Sequence, residues 1–210
     1  MLRTKYEAIK KSTADVVVSP LDHFYIKRGE VLKQNEIYSE TLIKDYVIGN
    51  VTWYSSGPLW RRSFIKEGFD ESIQTLDDYD FNLRHIYNNP KVEYHFEPLQ
   101  RYNKYKVGET LSSKSRLGNE RQIISGYSAY KKHYFILKDK GLLNTEIKEW
   151  LGNRFIYILR ASLVNKYFVS TDIFKFLVGN RSLLSTEKLM KVLAGFISFK
   201  FFNKGYILLS

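Results

Sequence analysis

The hydrophobic period of this chain changes near residue 117, and that change limits the folds open to it. From about Leu117 onward the apolar residues recur at helical spacing. Ile123, Tyr127, Tyr130, Tyr134 and Leu137 fall at intervals of 4, 3, 4 and 3, and Ile147, Leu151, Phe155, Ile158 and Leu159 behave similarly. Residues three and four apart share one face of a helix, so each set predicts an amphipathic helix. Gly141 separates the two. A third apolar helix is predicted near Asp172–Leu177, and a fourth from Ser185, a capping residue, to about Phe202.

Before that point the pattern is mixed. Leu2–Lys11 reads as a short helix. Ala14–Ser19 is a β-branched run that reads as a buried strand, and His23–Ile26 as a second strand followed by a turn at Lys27–Glu30. Ser39 is placed to cap a helix over residues 40–47. A helix is predicted from Asp77 to Tyr87, stopped by Asn88-Asn89-Pro90, with one or two strands between Lys91 and Lys106. The expected class is therefore α/β: a sheet-containing part over residues 1–113, then an α-helical region over 114–210. The boundary is drawn at the polar run Ser112–Leu117.

Charge changes at the same place. Residues 1–113 hold 16 Lys and Arg against 16 Asp and Glu, whereas residues 114–210 hold 17 against 6 and so carry the whole formal charge of +11. A one-sided excess of this kind suggests a polyanionic partner for the C-terminal region, either an anionic membrane surface or a nucleic acid. Nucleic acid is disfavoured because the cations are dispersed and no helix-turn-helix, RNP or zinc-finger pattern occurs. Hydrophobic residues make up 44% of the chain, which excludes wholesale disorder, and the absence of cysteine excludes disulfides and thiolate metal sites. The first residues are charged, with no apolar signal core, and no run reaches the roughly 18–20 apolar residues of a spanning helix. A cytoplasmic protein, peripheral on the inner face of the cell membrane, is expected.

The candidate chemistry lies between. Trp53-Tyr54-Ser55-Ser56-Gly57-Pro58-Leu59-Trp60-Arg61-Arg62 is an aromatic, small-residue and basic segment. Gly68-Phe69-Asp70-Glu71 follows, and then Asp77-Asp78-Tyr79-Asp80 opens a helix. Taken alone, acids at a helix start form an ordinary first turn favoured by the helix dipole. In this order and spacing, however, the segment resembles the acceptor half of an inverting family 2 glycosyltransferase of GT-A fold. There an arginine-containing segment and a Gly-Phe-Asp-Glu turn precede an acidic pair whose second member is the general base.

The resemblance covers about residues 1–113 and is strongest from Gly49 to Asp80. It implies a partial GT-A, Rossmann-like sheet half. It also implies that Asp78 is the base, that Asp77 stands where the family usually has Glu, and that Asp80 is a supporting or capping acid. Trp53 and Trp60 would stack on a sugar, although a place in the core is equally open to them. Ser56 and Gly57 would let the acceptor approach closely. Arg61 and Arg62 would contact phosphate, or one would pair with an acid such as Asp70. Lys104 or Lys106, in a segment like the one that returns over the family's active site, would neutralise the diphosphate.

A divalent metal, Mg or Mn, is expected for the whole family, but no ligating motif occurs here. Asp78-Tyr79-Asp80 begins a helix instead of ending a buried strand. The four His residues, at 23, 85, 95 and 133, lack metal-ligand spacing and read as structural. Relative to the family the chain begins late, so the half that binds the nucleotide-sugar donor is expected to be missing. By itself the chain is then expected to transfer little sugar. The implied activity is transfer of a sugar from a nucleotide-sugar to a polysaccharide or lipid-linked glycan acceptor, in building the cell envelope. The alternative is a non-catalytic basic module that binds anionic lipid or nucleic acid. The last predicted helix bears on both readings. Lys188, Lys191, Gly195 and Ser198 form one polar stripe on it and apolar side chains cover most of the rest, a pattern that suits either burial or a membrane interface.

Overall fold

The computed structural model describes residues 2–25, 29–104 and 119–204. They form two compact units, the first of Met1–Glu71 with Asp77–Lys114, the second of Ser72–Leu76 with Ser115–Ser210. The boundary expected at 112–117 lies outside the described residues. The class is mixed α/β, with two small three-stranded sheets in the first unit.

The first unit starts with α1 (Leu2–Lys11) and β1 (Val16–Val18). All three valines of β1 are fully buried, as expected of a short β-branched run without polar alternation. β1 is the middle strand of the first sheet. It pairs antiparallel with β4 (Pro58–Trp60), Val17 opposite Leu59, and parallel with β5 (Val92–Tyr94), Val17 opposite Glu93. Pro58 has no N–H to donate and sits at the end of an edge strand, where that loss is tolerated. After β1, Ser19-Pro20 interrupts the ladder and the chain enters β2 (Leu21–Tyr25) of the second sheet. There β2 lies between β3 (Glu30–Gln34), antiparallel, and β6 (Gln100–Lys104), parallel.

The sequence reading did not foresee β3 and β4. Glu30-Val31-Leu32-Lys33-Gln34 has too few apolar residues to stand out, and Pro58-Leu59-Trp60 is three residues long. Both are strands because of the neighbours they pair with. The hairpin before β3 turns through Gly29 at φ 67°, a left-handed conformation that glycine adopts without steric cost.

α2 (Leu42–Ile48) begins later than the sequence suggests, and its N-cap is Thr41. Ser39 acts on the turn before it: its hydroxyl accepts the Thr41 N–H at 2.8 Å and donates to Asp45, which Thr41 Oγ1 also reaches at 2.6 Å. These hydroxyls hold the Asp45 carboxyl down at about 2. α3 (Asp77–Ile86) buries Leu83 and Ile86, and Tyr87 just beyond it.

The second unit is helical: α4 (Glu120–Asp139), α5 (Thr145–Val164), α6 (Val169–Gly179) and α7 (Thr186–Phe202). Asn119, Asn144 and Ser185 cap α4, α5 and α7, each side chain accepting a backbone N–H from the first turn. Leu137, Leu151, Phe155, Leu159, Ile173 and Leu177 are completely buried. Around them Tyr127, Tyr134, Phe155 and Phe176 meet edge to face or tilted, with centroids 4.8–6.1 Å apart. Gly152 lets the Leu183 carbonyl come close to α5; a Cβ there would lie 2.2 Å from that oxygen.

Candidate active site

Leu76, at φ 69°, turns the backbone immediately ahead of α3. Asp77, Asp78 and Asp80 then occupy the first turn, where the unpaired N–H groups and the helix dipole favour negative charge. The three carboxylates meet different surroundings. Asp77 is exposed. Asp78 is half-buried and accepts hydrogen bonds from both the N–H and the hydroxyl of Ser55. Burial raises its pKa above the ordinary carboxylate value, the neighbouring charge of Asp77 adds to the rise, and the Ser55 bonds oppose it. Asp80 is fully buried.

Asp80 is expected to support the site, but its nearest charged partner lies elsewhere. Arg84, one turn on, donates to it at 2.9 Å, to Glu67 at 2.8 Å and to the Gly68 carbonyl at 2.7 Å. Asp80 thus helps fix α3 to the Glu67–Gly68 turn and is not placed to take a substrate proton.

The turn that carries Ser55 is tight. The Gly57 N–H donates to the Tyr54 carbonyl at 2.7 Å, and a Cβ on Gly57 would come within 3.1 Å of that oxygen. Beneath the turn lies Lys5 of α1, buried, whose ammonium donates to the Ser56 carbonyl at 3.1 Å and also to the Gly57 carbonyl. Burial lowers the Lys5 pKa from 10.5 to about 8. Lys5, which holds the turn of Ser55 from beneath, is the residue of this region that the sequence reading missed. Lys5 shares the buried face of α1 with Ile9, one turn later, and that shared face was the available signal.

Other expectations need correction. Trp53 does not face a sugar: it is 1% exposed, its indole N–H donates to the Ile37 carbonyl at 2.9 Å, and its own carbonyl accepts from Tyr46 and Asn82. Of the two places open to it, the core is the one it takes. Trp60 is half-buried, donates to Asn82 Oδ1 at 3.0 Å and stacks on Phe64 at 5.8 Å, so Asn82 links the Trp60 indole to the backbone carbonyl of Trp53. Arg61 is engaged within the fold. Its guanidinium donates to the carbonyls of Ile9, Ser12 and Ala14, closing the end of α1 and the turn after it. Arg62 is exposed. Lys104 closes β6 in register with Tyr25, and Lys106 lies outside the described residues.

The described residues contain no group of three or more His, Asp or Glu side chains arranged to hold a metal ion. With Asp80 bound to Arg84, Asp77 and Asp78 alone do not make a divalent-metal site. His85 is buried, its Nδ1 lies 2.7 Å from the Phe81 carbonyl, and burial lowers its pKa, so it serves as a neutral core group. Two cavities in the helical unit, of about 560 and 580 Å³, include none of the three acids.

No protein-family model and no curated protein matches this chain.

Proposed function

We propose that the first unit is the acceptor side of an inverting glycosyltransferase and that Asp78 is its general base. The observation that carries the reading is the environment of Asp78. It is a carboxylate at a helix start, made more basic by burial and by Asp77, and held in place by two donors of a tight, small-residue turn. A base whose pKa lies nearer the working pH abstracts a proton more effectively. In the proposed reaction the acceptor hydroxyl loses its proton to an Asp78 carboxylate oxygen while its own oxygen bonds to the anomeric carbon of a nucleotide-sugar. The bond from that carbon to the diphosphate breaks, and the diphosphate leaves with the electron pair. Ser56, small, exposed and adjacent to Ser55, leaves room for the acceptor, whereas Gly57 is buried and serves the tightness of the turn. No step runs through a metal held by these residues.

The test is Asp78→Asn, made in a version of the protein joined to a nucleotide-sugar-binding half and assayed with a panel of uridine and guanosine diphosphate sugars and with glycan and lipid-linked acceptors. Loss of the base should slow transfer by about 100-fold or more, because the proton moves only in the transition state. Acceptor binding, followed by calorimetry, should survive the substitution. Transfer by Asp78→Asn at the parental rate would overturn the assignment of the base. Failure of the parental protein both to bind and to glycosylate any acceptor would overturn the glycosyltransferase reading.

A further inference from the structure

One side of α7 is set by its neighbours. Val192 and Gly195 are buried, Phe196 stacks on Phe174 of α6 with centroids 3.8 Å apart, and Lys188 donates to Glu149 and Asn153 of α5. Gly195 and Lys188 therefore face the bundle, and the polar stripe read from the sequence is not the outward face. The outward face is Met190, Ala194, Ile197 and Phe201, at intervals of 4, 3 and 4. Met190 is 61% exposed, Ile197 51% and Phe201 78%, and Phe202 beside them is 72% exposed. An unbroken apolar stripe of this kind, left in water, marks an interaction surface.

Charge identifies what covers it. Lys191 and Lys200, each next in sequence to a stripe residue and exposed, lie to either side. Lys191 pairs with Glu187 at 2.7 Å, and the Lys200 ammonium lies 5.7 Å from the Phe196 ring centroid, its stem along the helix. From Lys188 to Lys204 there are four lysines and no carboxylate, within a region of 17 cations against 6 acids. Among the described residues no helix is long and apolar enough to cross a membrane. A helix with an apolar stripe between lysines, too polar to span, is suited to lie in the plane of a bilayer surface, with the stripe at the acyl boundary and the lysines at anionic headgroups.

We infer that α7 docks the protein on an anionic phospholipid bilayer through Met190, Ile197 and Phe201, with Lys191 and Lys200 at the headgroups. The inference does not depend on the chemistry at Asp78, and Asp78→Asn should bind vesicles as the parent does.

Flotation of the purified protein with vesicles tests it, comparing phosphatidylcholine alone with phosphatidylcholine plus phosphatidylglycerol. Binding should require the anionic lipid and weaken with added salt. Ile197→Ser with Phe201→Ser should reduce it about tenfold or more, as should Lys191→Gln with Lys200→Gln. Because these side chains are exposed, circular dichroism melting should be unchanged in both variants. Three results would overturn the inference: equal binding to neutral vesicles; full retention by the Ile197/Phe201 variant with competition by soluble glycerophosphate, which would mean headgroup binding alone; or no vesicle binding together with self-association that the same variant abolishes, which would assign the stripe to a second copy of the chain.

Discussion

Among the described residues Lys5 is a buried cation without a carboxylate partner; its ammonium is satisfied by the Ser56 and Gly57 carbonyls. Burial disfavours its charged form and lowers the pKa to about 8 from 10.5. The sign of the pH effect follows. Between pH 8 and 10.5 the folded protein has released this proton while the unfolded chain still holds it, so stability from this group rises with pH across that window. The neutral amine keeps two N–H groups, enough for both carbonyls. Urea denaturation from pH 7 to 10.5 should show the difference between parent and Lys5→Met growing in favour of the parent above pH 8. A flat difference would mean that Lys5 titrates as an exposed lysine does. Burial penalises the charged form of Asp78 as well, but raises its pKa, so the stability contributed by this group falls as pH rises through the carboxylate range.

At the scale of elements, glycine shows how tertiary packing can reverse a local preference. An alanine is ordinarily better than glycine inside a helix by about 0.5–1 kcal/mol. Gly126 in α4 should follow that rule, since a Cβ there meets Ile158 Cδ1 at 3.9 Å, an ordinary contact. Gly152 in α5 should break it, because its Cβ would meet the Leu183 carbonyl oxygen at 2.2 Å and Leu184 Cδ2 at 2.9 Å. Chemical denaturation should therefore find Gly126→Ala more stable than the parent and Gly152→Ala less stable by about 1–3 kcal/mol. Two shifts of the same sign would refute the account. The helices themselves were legible in sequence: Ile147, Leu151, Phe155, Ile158 and Leu159 repeat at helical spacing and all are buried, and Ser185 caps α7. β3 and β4 were not legible, being short and defined by their partners. In the candidate site, a carboxylate pair opening a helix could be read directly. What could not be read was which aromatic the core would claim, Trp53, or which arginine would close a helix end 52 residues away, Arg61. Lys5 reaches the turn that carries Ser55 through contacts 51 and 52 residues apart, and its place beside Ile9 on one face of α1 was the one local hint of its burial.

On the scale of the whole molecule, the chain passes from one unit to the other more than once. Residues 72–76 belong to the helical unit although they lie in sequence between Glu71 and Asp77 of the other. Their attachment is specific: Thr75 donates its N–H to Ser125 Oγ at 2.9 Å, the same hydroxyl donates to the Thr75 carbonyl at 3.2 Å, and Thr75 Oγ1 reaches the Gln122 carbonyl of α4 at 3.3 Å. The amide of Thr75 thus becomes a reporter on a helix it is not part of. In hydrogen–deuterium exchange it should be protected despite lying in a connecting segment, and it should exchange at the pace of α4. Ser125→Ala should release it while leaving the interior of α4 protected. A single isotope label two residues before Asp77 would then record, in time units, how often the helical unit loosens its hold on the chain that leads into the carboxylates.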